Sequence, residues 1–133
     1  LKLLGYDPAI KEITKLTTNV LPTDEKFDLI ISTDCLEHIP QNELSQCFDI
    51  FKQIDPKHML HIVCTREAKQ FLPDGTNAHK TVKTRIWWRK KFSAELNNYD
   101  IRVMEKSELQ ETKNFVRAIC RRDNACILAQ KKS

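Results

Sequence analysis

The residues with the most chemistry to offer fall just after short apolar runs. Asp7 follows LKLLGY, the group Asp34 to His38 (DCLEH) follows FDLIIST, and Arg66 follows MLHIVCT. In open α/β sheets, loops leaving the carboxyl ends of strands converge on one crevice, where ligands bind. A carboxylate just past such an end can accept both hydroxyl protons of a ribose, and Asp7 is placed to do so. A strand-terminal aspartate can equally cap a helix or close a turn. His58, His61 and Cys64 form an H-x-x-H-x-x-C pattern, but residues three apart on a strand face opposite sides and cannot converge on one ion. No metal site is therefore expected. Cys35 and His38 lack a third group for nucleophilic catalysis.

A second kind of chemistry lies in Lys80 to Lys91, which holds Lys80, Lys83, Arg85, Arg89, Lys90 and Lys91, no acids, and the pair Trp87-Trp88. Positive charge beside stacking surface suits a nucleic acid or a phosphorylated partner. Adjacent helical tryptophans point about 100° apart, so one can equally enter the core while the basic groups stay solvated. The charge is unevenly spread: residues 1 to 79 carry 8 Lys+Arg against 12 Asp+Glu, and residues 80 to 133 carry 14 against 6.

These residues need a frame. FDLIIST (27–33) reads as a strand buried on both faces of a parallel sheet. After Pro40, the residues Leu44, Cys47, Phe48, Phe51 and Ile54 make an apolar helical stripe that stops at Asp55-Pro56. MLHIVCT (59–65) is the next strand, completing a βαβ unit with a right-handed crossover. Pro73-Asp74-Gly75 marks a turn in a polar stretch, Ile86 to Leu96 reads as a helix, and Tyr99 to Met104 as a strand. Phe115 to Cys120 and Ala125 to Ala129, split by Asp123-Asn124, suggest an antiparallel hairpin. Ala9 to Leu16 fits a short helix or an extended path.

The 133 residues, 41% hydrophobic and 30% charged, suit one domain with a real core. No apolar run approaches the roughly 18 residues of a membrane span, and a cytoplasmic protein is expected. Five scattered cysteines without a secretory signal point to reduced, mostly buried thiols.

FDLIISTDCLEHIP (27–40) resembles the fourth-strand motif of class I S-adenosylmethionine-dependent methyltransferases, in which an FD-led strand runs into D-x-L-E-H. Gly5-Tyr6-Asp7-Pro8 is similar to the second-strand motif. LPDGTNAHKT (72–81), followed by Trp87-Trp88-x-x-x-Phe92, is similar to the segment after the fifth strand in bacterial and phage enzymes of the small-molecule, type 11/12-like branch. The resemblance covers most of residues 4 to 92. It implies a Rossmann-like three-layer sandwich, its sheet mostly parallel with an antiparallel C-terminal strand. It implies S-adenosylmethionine as cofactor and a small-molecule or sugar- or nucleotide-linked methyl acceptor.

By the same resemblance Asp7 holds the adenosine ribose, and Asp34, Cys35, Leu36 and Glu37 line the cofactor pocket. Arg66, Asn77 and Trp88 fall to the acceptor, and His38 and His79 face it. A histidine, with an ordinary pKa of about 6.5, can take a proton from the acceptor near neutrality. The family's first strand and glycine-rich loop belong upstream of Asp7. With Gly5 and Gly75 the only glycines, the chain is expected to be a single, N-terminally truncated domain that is weak or inactive by itself. An open sheet edge would suit pairing with a second copy or another segment. The alternative is a non-catalytic Rossmann-like module that binds nucleic acid or a phosphorylated partner through Lys80 to Lys91.

Overall fold

The computed structural model describes residues 2–9, 11–12, 17–104, 108 and 124–133. The apolar run after Phe27 forms β3 (Leu29–Thr33), following two short strands, β1 (Gly5–Tyr6) and β2 (Thr17–Thr18), which pair in parallel with each other. The 44–54 stripe becomes α1 (Leu44–Ile54), burying Leu44, Phe48 and Phe51. It ends at Asp55, whose left-handed φ of 48° turns the chain while its N–H reaches Phe51 O, and Pro56 prevents continuation. β4 (His58–Cys64) then runs parallel to β3, with Leu29 opposite His58 and Thr33 opposite Ile62, so the expected βαβ unit is present.

After a long loop, Thr84 caps α2 (Arg85–Glu95) by accepting the Trp87 N–H at 3.2 Å. β5 (Tyr99–Val103) and β6 (Asn124–Lys131) complete a sheet of order β3-β4-β6-β5. β6 is antiparallel to both β4 and β5, so β3, β4 and β5 share one direction and the last strand runs against them. This matches the strand directions expected for the class. Ala125 to Ala129 lies within β6; Phe115 to Cys120, its expected hairpin partner, lies outside the described residues. So does most of the 9–16 segment, of which Lys11 and Glu12 form a bend rather than a helix.

Period-two alternation sorts the side chains of the sheet. Met59 and Val63 of β4, with Ala125, Ile127 and Ala129 of β6, face both helices in the main core with Phe48, Trp88 and Phe92. His61, also on this face, lies 4.7 Å from the Phe51 ring of α1 and 5.0 Å from the Phe92 ring of α2. On the opposite face Ile62, Met104 and Cys126 form a smaller cluster with Leu60 and Leu128. Both described helices thus cover one face, and among the described residues no helix covers the other.

A correction concerns β3. It is the terminal strand of the four-stranded sheet, and only Ile30 of its large side chains packs into the core. Leu29 is 46% and Ile31 57% exposed, so one face of the strand is open rather than buried. Of the cysteines, Cys64 and Cys126 are buried free thiols, Cys47 is half-buried and Cys35 exposed; Cys120 lies outside the described residues. Among the described residues no helix is long and apolar enough to cross a membrane.

Candidate functional site

The site grows from the end of β3. Asp34 adopts a left-handed backbone, φ 49°, which an aspartate tolerates better than most residues, and its N–H donates to Ile62 O at 2.9 Å. The chain drops at once into a single 3₁₀ turn, Leu36–His38. Leu36 and Glu37 point inward, at 3% and 0% exposure, while His38 stays at the surface.

The other wall is the loop between β4 and α2. Gly75 (φ 80°) makes its turn, closed by Gly75 N–H to Leu72 O at 2.9 Å and Leu72 N–H to Thr76 O at 2.8 Å. Asn77 spends both ends of its amide on this loop. Its Oδ1 accepts from Ala68 N (3.0 Å) and His79 N (2.9 Å), and its Nδ2 donates to Ala68 O (3.0 Å). Thr81 then fastens the loop to the 3₁₀ turn: its N–H donates to Glu37 O at 2.9 Å and its hydroxyl to Ile39 O at 2.7 Å. This docking sets His79 edge-on against His38, with ring centroids 4.8 Å apart.

The tautomers follow from the partners. His38 Nδ1 lies 3.0 Å from Ala78 O and His79 Nδ1 2.6 Å from Arg66 O. A carbonyl oxygen only accepts, so each Nδ1 carries a proton, and in the neutral form of each ring the lone pair is on Nε2. Beside them, burial pushes the Glu37 carboxyl above the usual carboxylate range. The backbone amides of Glu37 and Cys64 partly offset this, but neither carboxylate oxygen reaches hydrogen-bond geometry with a described residue.

The remaining residues singled out in the sequence divide. Burial raises the Cys35 thiol pKa against the opposing bond from Cys35 Sγ to Thr33 O at 3.2 Å, and the charges of Glu37, Asp34 and Asp7 add smaller increments to the rise. Asp7 Oδ1 accepts the Ala9 N–H at 2.9 Å, so the carboxylate serves a turn, though it stays exposed. Arg66 lends its carbonyl to His79. Trp88, expected at the acceptor, is fully buried in the core, because the 100° step between neighbours on α2 sends it inward and leaves Trp87 half-buried. Asn77 is occupied as a loop clamp. His58 and Cys64 fall on the face of β4 opposite His61, as alternation requires.

Several cations of the basic segment have internal partners. Lys91 pairs with Glu95 at 2.7 Å, Lys83 lies 5.7 Å from the Trp87 ring centroid, and Arg85 donates to Met104 O. Arg89 and Lys90 remain at the surface. Spacing alone did not reveal Thr81 or the clamp role of Asn77.

The strand directions and the two helices on one face make this a mixed α/β fold, with the candidate site at the ends of its parallel strands. The fold is similar to that of a solved structure, the DhpI-SAH complex, with a TM-score of 0.55 and 12% identity over 86% of this chain and 54% of that one. This chain thus spans about half the length of that structure. No family model and no curated protein matches the sequence.

Proposed function

We propose that this chain is part of an S-adenosylmethionine-dependent methyltransferase that acts on a small-molecule or sugar- or nucleotide-linked acceptor. The observation that supports the reading is the gathering of Glu37, His38 and His79 just past Asp34 at the end of β3, in a fold that resembles that of an SAH complex. The cofactor supplies an electrophilic methyl group, and transfer needs the acceptor atom held in line at roughly 3 to 3.5 Å.

The residues fit one half of that cofactor. Asp7, exposed and with lone pairs beyond its turn bond, accepts the two ribose hydroxyls. Asp34 and Cys35 line the approach, and Leu36 and Glu37 lie beneath it. Gly5 lies in β1 and Gly75 in the distal turn, so neither supplies a glycine-rich loop for the methionine end. His38 or His79 accepts the acceptor's proton on Nε2, and the carbonyls of Ala78 and Arg66 hold each ring in the tautomer this requires.

The test is thermal denaturation of the complete native protein with S-adenosylhomocysteine. At 100-fold excess over Kd the ligand should stabilise it by about 2.7 kcal/mol. Asp7→Ala should abolish the shift, and no shift in the unmodified protein overturns the reading.

A further inference from the structure

We propose that Glu37, His38 and His79 form a binding site for a divalent transition-metal ion, Zn²⁺ by preference, with its open positions facing the rim. One ligating atom from each side chain lies within 4.8 Å of the others. A zinc ion with bonds of about 2.0–2.2 Å sets tetrahedral ligands about 3.3 Å apart. Side-chain rotation of an ångström or so closes the remaining distance, and His38, at the surface, has room to make it.

Three features favour an ion over a chance cluster. Both imidazoles give Nδ1–H to a backbone carbonyl, which leaves Nε2 as the nitrogen available to a metal, with the carbonyl as its outer-shell partner. Glu37 is a fully buried carboxyl whose two oxygens have the backbone amides of Glu37 and Cys64 nearby but neither within hydrogen-bond geometry, and such a group is costly unless a cation or a proton meets it. The two segments carrying the ligands are tied together twice by Thr81, so the set is held before any ion arrives.

The donor set decides the metal. Two imidazole nitrogens and one carboxylate suit zinc, cobalt or iron, whereas magnesium and calcium take oxygen ligands. Three protein ligands leave coordination open, as in catalytic rather than structural zinc sites. An acceptor hydroxyl bound there would have its pKa lowered by the ion. The ion would then do the work that a free Nε2 would do as a base. The site itself does not depend on the methyltransferase reading, since binding is measured without S-adenosylmethionine.

The experiment titrates Co²⁺ and Zn²⁺ into metal-stripped protein, reading the Co²⁺ visible bands and Zn²⁺ competition with a chromophoric chelator. One equivalent should bind, unaffected by excess Mg²⁺. His38→Ala and Glu37→Gln, each checked for folding by circular dichroism, should weaken binding at least about 100-fold. Cys35→Ser, which removes the neighbouring exposed thiol, should leave it unchanged. Absence of stoichiometric binding overturns the proposal. So does binding that survives His38→Ala or is lost in Cys35→Ser.

Discussion

Ser32 on β3 and His61 on β4 are joined through Ser32 Oγ and His61 Nδ1 at 2.7 Å, which places an imidazole inside the aromatic contact between the two helices. Burial drives the His61 pKa down to about 3, from an ordinary value of 6.5. Between those values the unfolded chain binds a proton that the folded protein refuses. Stability is therefore complete above pH 6.5 and is lost as pH falls toward 3, by up to about 1.4 kcal/mol per unit. Glu37, whose pKa is raised, works in the opposite sense. Urea denaturation between pH 7 and pH 5 should show a shallower slope for His61→Leu, and an unchanged slope would exclude His61 as its source.

The two tryptophans should separate cleanly. Trp88→Ala empties a fully buried site and should cost about 3–5 kcal/mol in urea denaturation, with a clearly smaller loss for Trp87→Ala. A nucleic-acid surface would instead make Trp87, with Arg89 and Lys90, the sensitive group in a binding assay. Its affinity would fall steeply with salt, and equal stability losses would contradict the packing described for α2.

Thr81→Val keeps the side-chain shape but removes the donor to Ile39 O. With a part-buried acceptor losing its partner, a loss of about 1 kcal/mol is expected. The variant should also release the loop locally, seen as faster amide exchange at residues 77–81 and a weakened cross-peak between the His38 and His79 rings. Wild-type exchange rates would show that Thr81 does not hold the two histidines together.

What the sequence disclosed was local. The stripe from Leu44 to Ile54 and the runs before Asp34 and Arg66 were legible because period and length carry helix and strand information directly. The openness of β3 was not, because Leu29 and Ile31 read as core residues and only their neighbours decide what covers them. The choice between Trp87 and Trp88 depended on how α2 is rotated against the sheet. The meeting of His38 with His79 was the least legible feature. It is made by hydrogen bonds from Asn77 and Thr81, which leave no periodic trace, and the conspicuous H-x-x-H-x-x-C pattern lay on a strand that separates its members.

The position of β6 bears on how the protein is assembled. β4 and β5 precede it in the chain, yet they lie on either side of it and have no pairing with each other. As the polypeptide emerges from the ribosome, β5 has no edge in this sheet to join until β6 has been made and slotted in. Both of its ladders close over long sequence separations: His58 meets Gln130 and Tyr99 meets Lys131. Such closures are slow compared with helix formation, so sheet assembly is a late, cooperative event, and the helices must wait on a half-built surface for their final packing.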